Sequence, residues 1–126
     1  MRRLVVLAVA VLALAGCGGS KAPVSDTTTY GPTVYTAQQM MANAGCKGDA
    51  TLDTQLELYV KESGTCTLDG QQISVDTFNN KAARDAYLKV AETFGGSYGE
   101  GDLWVIHGDD AATVAKAVAS ASGTML

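Results

Sequence analysis

The first seventeen residues have the three-part form of a secretion signal. Arg2 and Arg3 precede residues 4–15, which are unbroken apolar sequence, and small residues close the segment. A run of about a dozen apolar residues is too short for a spanning helix, which needs ~20. We therefore expect export and removal of residues 1–16, which leaves about 110 residues, enough for one small domain with a marginal core.

The end of this segment, Leu14-Ala15-Gly16-Cys17, resembles the lipobox of bacterial lipoproteins. The resemblance implies that the chain is cut before Cys17 and that the sulfur of Cys17 carries a diacylglycerol. Two acyl chains hold a protein stably on a membrane, where a single chain is marginal. We expect Cys17 to anchor the protein to the outer face of the cell membrane. A simple transmembrane anchor and a free secreted product are the alternatives.

Residues 17–34 are predicted to be a lipidated cysteine followed by a flexible tether. They are rich in Gly, Ser, Thr and Pro and offer almost nothing apolar to bury. As a flexible coil this tether has a mean reach of ~20–25 Å. It would lift a single domain, residues 35–126, away from the membrane.

The exported part of the chain is acidic. Removal of Arg2 and Arg3 lowers Lys plus Arg from 9 to 7 against 13 Asp plus Glu, a balance of −6. Such a surface repels nucleic acid and anionic lipid headgroups. We expect no nucleic-acid partner, and we expect the lipid to hold the protein on the membrane without help from a basic patch.

Two cysteines remain once Cys17 is assigned to the anchor. Cys46 and Cys66 lie in an exported chain, where two remaining cysteines usually pair. A disulfide there would stabilise the fold by ~3 kcal/mol on the chain-entropy model. A metal pair or a redox pair is the alternative, but the sequence has no Cys-x-x-Cys and no further Cys/His pair for zinc. We expect no metal and no cofactor.

The sequence pattern predicts seven elements in the order α-β-β-β-α-β-α. A capping box at Thr36 and Gln39 begins the first helix, and Asp69-Gly70 is a strong hairpin signal. Asn79 or Asn80 and Asp109 or Asp110 are expected to cap the later helices. The predicted strands are 56–60, 65–68, 71–75 and 103–106. The inward stripe expected on the second helix is Ala83, Tyr87, Val90, Ala91 and Phe94.

This order predicts an α+β fold, with a small antiparallel or mixed sheet and helices on one face. The disulfide would then join the end of the first helix, at Cys46, to the hairpin, at Cys66. Trp104 lies among apolar residues and is expected in the core.

Several further motifs resemble small lipoproteins of actinobacteria and their phages. The resemblance implies no enzymatic activity that we can name, although some phage-borne lipoproteins exclude a second infecting phage. The motifs are Cys46 and residues 64–70, 75–78, 84–87, 95–96 and 101–106.

Reactive chemistry has little support in the sequence. His107 is the only histidine, and no Gly-x-Ser-x-Gly elbow accompanies it. The Gly-rich residues 95–101 lead from a helix into a strand, the wrong polarity for a phosphate cradle, and are expected to be a flexible loop. Asp109-Asp110 is explained as a helix cap more simply than as a cation site.

The residues that most resemble contact residues are tyrosines. Tyr59 is expected on the polar face of its strand, between Glu57 and Lys61, and Tyr98 in the Gly-rich loop. We therefore expect a non-enzymatic interaction module with an unidentified protein partner at the cell envelope. The alternatives are a phage-encoded exclusion lipoprotein and a small envelope enzyme or enzyme accessory that uses His107.

Overall fold

The computed structural model describes residues 33–47 and 49–126 and has an α+β fold. The signal, Cys17 and most of the tether lie outside these residues, so the expectations about them stay predictions. None of the helices in the described part of the chain is long and apolar enough to cross a bilayer.

Within residues 33–47 and 49–126, three helices accompany a six-stranded sheet in which every pairing is antiparallel. The strands lie in the order β1-β2-β3-β5-β4-β6. The helices are α1 (Ala37–Asn43), α2 (Lys81–Ala91) and α3 (Ala111–Ser120), and a 3-10 turn (Glu92–Phe94) follows α2. The strands are β1 (Thr51–Leu52), β2 (Glu62–Leu68), β3 (Gln71–Thr77), β4 (Ser97–Glu100), β5 (Trp104–Gly108) and β6 (Thr124–Met125). The predicted α+β class is confirmed.

The helix starts follow the predicted capping residues. Thr36 and Gln39 form the reciprocal capping box of α1. Asn80 accepts a hydrogen bond from the Ala83 backbone at the start of α2, and Asp110 begins α3 in the same way. Each cap satisfies a backbone N–H that has no partner within the helix. Hydrogen bonds from Thr113 to the Asp110 carboxylate lower the pKa of Asp110.

The Asp69-Gly70 hairpin is confirmed, with Leu68 paired to Gln71. Asp69 and Gly70 have φ values of 52° and 80°, in the left-handed region that a two-residue turn of this kind requires. The turn therefore fixes the register of the two longest strands.

The helices pack on both faces of the sheet, so the expectation that they share one face was wrong. Val75 and Ile106 belong to a core that α1 and α3 cover, whereas Val105 belongs to a second core under α2. Successive side chains of a strand point to opposite faces. The unbroken apolar run at residues 103–106, which leads into β5, is the sequence signal for this arrangement, because a strand covered on both faces loses its alternation.

The expected disulfide is present between Cys46 and Cys66, whose Cα atoms are 5.8 Å apart. Cys66 is buried in the core of α1 and α3. Trp104 is buried in the same core, as the sequence predicted. The covalent bond joins the segment after α1 to the middle of β2.

The predicted strand at 56–60 was wrong, because residues 53–60 form turns and irregular backbone. The outer edge of β2 is paired instead with β1, through Thr51 opposite Thr65. The expected loop at 95–101 was also wrong in part, because residues 97–100 form β4. Gly99 makes this strand possible, since a β-carbon there would overlap the Val118 side chain of α3.

Candidate binding site

A pocket of about 500 Å³ opens on the face of the sheet that α2 covers. Three parts of the chain form it: the turn before β2, α2 with its 3-10 turn, and strands β4 and β5. The lining residues are Glu57, Leu58, Tyr59, Tyr87, Val90, Ala91, Phe94, Tyr98 and His107. The volume is within the range of proteins' small-ligand sites.

Three apolar side chains of the pocket are exposed to solvent. Phe94 is 81% exposed, Leu58 75% and Val90 55%. The expectation that Val90 and Phe94 face the core was wrong. Helix α2 ends at Ala91, and the tighter 3-10 turn breaks the helical period that placed Phe94 on the inward stripe.

Beneath the apolar rim lies a hydrogen-bonded cluster around Asp76, a carboxylate that is only 4% exposed. The Tyr87 hydroxyl donates to Oδ2 of Asp76 at 2.7 Å, and Nε2 of His107 lies 3.0 Å from the same oxygen. The Ser63 hydroxyl donates to Oδ1 at 2.6 Å. These bonds compensate for the desolvation of the carboxylate, which would otherwise be costly.

The cluster assigns a tautomer to His107. A carboxylate only accepts hydrogen bonds, so Nε2 must carry the hydrogen that reaches Asp76. In a neutral imidazole, Nδ1 is then left as an acceptor. The side chain of His107 is 25% exposed, so this edge of the pocket is polar and accessible.

The phenol of Tyr87 stays protonated at every physiological pH. Burial raises its pKa far above the ordinary tyrosine value, and the charge of Asp76 and its hydrogen bond raise it further. Tyr87 therefore acts in the cluster as a permanent hydrogen-bond donor.

Tyr98 forms one wall of the pocket. Its ring stacks on the His107 ring, with centroids 5.2 Å apart and planes inclined by 18°, and its hydroxyl donates to the Ala91 carbonyl at 3.0 Å. Tyr98 was predicted in a loop but lies in β4, opposite His107 in the strand register. Partial burial is the main reason that its pKa is raised.

Tyr59 lies in a turn and not in the strand that its alternating neighbours suggested. Its φ is 78°, which is rare for a bulky residue, and it is 47% exposed. A backbone in this region costs of order 1–3 kcal/mol and persists where the surroundings impose it. This strained backbone conformation occurs at an aromatic residue in the turn that borders the pocket.

The structure brings three sequence-predicted candidates together, since Tyr59, Tyr98 and His107 line one pocket. Sequence reasoning missed Asp76, because the predicted strand ended at Val75; an acidic residue directly after that strand was the only signal, and the structure extends β3 through it to Thr77. Among the described residues, no three His, Cys, Asp or Glu side chains are grouped so that they could hold a metal ion.

A second, more polar pocket of about 400 Å³ lies beside Arg84. The Arg84 guanidinium donates to the carbonyls of Gly101 and Asp102, and it pairs with the carboxylates of Asp85 and Glu100. These contacts use the cation to fix the turn between β4 and β5, so we assign Arg84 a structural role.

Comparison of the chain with protein-family models, with curated proteins and with solved structures found no match.

Proposed function

We propose that this protein is a lipid-anchored binding protein on the outer face of the cell membrane. The pocket around Tyr59 and Tyr98 receives its partner. The observation that carries the proposal is the exposed apolar rim. Soluble domains rarely expose clustered large apolar side chains unless they bind something. Phe94, Leu58 and Val90 are all exposed, and all line one pocket.

The rim offers more binding energy than a flat polar surface would. Fully burying one large apolar side chain contributes about 1.5–3 kcal/mol. Phe94 and Leu58 are exposed by 81% and 75%, so most of that gain is available to a partner. Part of the gain would be offset by the entropy lost on association.

The anchor would make a moderate affinity sufficient. A lipid on Cys17 with a tether of ~20–25 Å confines the domain close to the membrane and raises its effective concentration toward any partner there. In this proposal the protein binds another envelope protein and does not change that partner chemically.

Crosslinking on intact cells tests this proposal. An affinity-tagged wild-type protein would be compared with Cys17→Ser, Phe94→Ala and Leu52→Ala, and captured proteins would be identified by mass spectrometry. Leu52 is the matched control, because it is 49% exposed and lies outside the pocket. We expect a partner that is captured by the wild type and Leu52→Ala and lost with Cys17→Ser and Phe94→Ala. An identical captured set for all four proteins would contradict the proposal.

One observation favours a small enzyme as the second candidate function. His107 and Asp76 form a hydrogen-bonded pair beside a pocket, and the Nδ1 atom of His107 is available as a general base toward water. Among the described lining residues there is no Ser, Thr or Cys to act as a nucleophile. Loss of a cellular phenotype in His107→Ala, with unchanged capture of the partner, would favour the enzyme; a silent His107→Ala favours the binding protein.

A further inference from the structure

The charged groups around the pocket have one sign. Glu57 lies in its lining, Asp76 lies behind His107, and none of the described lining residues is a Lys or Arg. The exported chain as a whole has a balance of −6, from 7 Lys plus Arg after loss of Arg2 and Arg3 against 13 Asp plus Glu. An anionic group would therefore meet the charges of Glu57 and Asp76 without a Lys or Arg among the described lining residues to offset them.

The phenols of Tyr87, which is buried, and Tyr98, which is partly buried, lie within the influence of the same carboxylates. Burial is the largest cause of the raised pKa values of Tyr98 and Tyr87. The negative charges of Glu57 and Asp76 raise both pKa values further. Glu92 and Asp109 add to the effect at Tyr98. Carboxylates from several elements thus act together on the interior of the pocket.

The aromatic rings complement this charge. Tyr59, Tyr87, Phe94 and Tyr98 line the pocket together with the His107 ring. The face of an aromatic ring carries negative partial charge and attracts a cation within about 6 Å. Aromatic faces beside a carboxylate are the chemistry by which proteins hold guanidinium and ammonium groups.

We propose that the pocket receives an arginine or lysine side chain of a partner protein, and that apolar residues flanking this side chain cover Leu58, Val90 and Phe94. This assignment rests on the proposed binding function and specifies the chemical class of the group that is bound. The basic group lies against the tyrosine rings and pairs with the Glu57 carboxylate. The apolar rim is larger than a single cationic group could cover. We therefore favour a peptide segment over a small free cation as the occupant.

The test uses three blocked tripeptides, Leu-Arg-Leu, Leu-Gln-Leu and Leu-Glu-Leu, titrated into the full exported chain carrying Cys17→Ser. Amide chemical shifts in an isotope-labelled sample report binding and its location. We expect the Arg peptide to bind about tenfold more tightly than the Gln peptide, and the Glu peptide to bind most weakly. Added salt should reduce the advantage of the Arg peptide.

Four variants assign the effect to the pocket. Glu57→Gln should weaken the Arg peptide about three- to tenfold and leave the Gln peptide unchanged. Asp49→Asn removes an equivalent exposed charge outside the pocket lining and should change neither peptide. Tyr98→Ala should weaken the Arg peptide, whereas Tyr98→Phe keeps the ring and should retain binding.

The outcomes separate this inference from the proposed function. Equal binding of the Arg and Gln peptides, both dependent on Phe94, would overturn the cation assignment while leaving an apolar binding pocket. Tighter binding of tetramethylammonium than of the Arg peptide would overturn the assignment to a peptide side chain. No shift of any pocket amide at millimolar Arg peptide would also overturn it, and the crosslinking experiment would then judge the proposed function alone.

Discussion

Tyr98 of β4 lies directly opposite His107 of β5, and the two rings stack with centroids 5.2 Å apart. The pairing register of two adjacent strands therefore builds one wall of the pocket. A slip of β4 by one residue against β5 would turn the Tyr98 side chain to the other face of the sheet, away from His107. The pocket thus depends on the same hydrogen bonds that hold the sheet. Substitutions of its lining residues can therefore alter binding, the stability of the fold, or both.

Tyr59→Gly should stabilise the domain and weaken partner binding. Glycine adopts the φ of 78° without strain, so the free energy of unfolding should rise by about 1 kcal/mol. Tyr59 is 47% exposed, so loss of the ring also removes the contacts of its buried half, which offsets part of the relief of strain. Denaturant unfolding and partner capture measure the two effects. A destabilised Tyr59→Gly protein would show that the ring supports the fold and that the strain argument is wrong.

The domain should lose stability as the pH rises above the ordinary tyrosine pKa of ~10. The pKa values of Tyr87 and Tyr98 are raised in the folded protein, so the unfolded chain releases these protons first. The stabilisation is complete below ~10 and is lost as the pH rises beyond it. Unfolding midpoints measured across alkaline pH test this.

Tyr87→Phe should reduce that alkaline loss, because it removes the more strongly shifted group. It should also cost about 1.5–3 kcal/mol at neutral pH, since the buried Asp76 carboxylate loses a donor. Tyr35→Phe, outside this pocket, is the control. An alkaline loss of equal size in Tyr87→Phe and wild type would mean that Tyr87 is not its source.

Gly99→Ala should destabilise the domain by about 1–3 kcal/mol through overpacking. The added carbon would overlap the Val118 side chain, which is buried against β4. The double variant Gly99→Ala, Val118→Ala should cost less than the sum of the two single changes, because each relieves the other. Additive costs in this double-mutant cycle would contradict the predicted contact.

Cys66→Ser and Cys46→Ser should each lower the free energy of unfolding by about 3 kcal/mol, the chain-entropy value for cysteines 20 residues apart. Denaturant unfolding of the wild type with and without reductant gives the matched comparison. A wild type whose stability is unchanged by reductant would show that the bond contributes nothing.

Cys17→Ser should move the protein from the membrane fraction to the soluble fraction without changing its unfolding midpoint. The expectation follows from the lipobox, because the serine hydroxyl does not accept the lipid. Fractionation of cells and a denaturation curve are sufficient. Retention of Cys17→Ser on the membrane would contradict the lipid anchor.

Local sequence signals predicted the features that depend on near neighbours. The capping box at Thr36 and the caps at Asn80 and Asp110 formed as expected, because each joins residues three apart. The hairpin at Asp69-Gly70 formed because two residues with positive φ suffice to reverse the chain. The disulfide could be predicted since only two cysteines remained to pair.

The tertiary structure alone decided where the apolar residues of the pocket went. Leu58 and Phe94 continue local periodic patterns. Such a pattern predicts which residues share a face, but it does not predict whether another element covers that face. The contact of Asp76 with His107 joins residues that are 31 positions apart, through β3 and β5. The sequence by itself determined the class, the caps, the turn and the disulfide; strand pairing across the chain determined the pocket, because only packing decides which apolar surface is left uncovered.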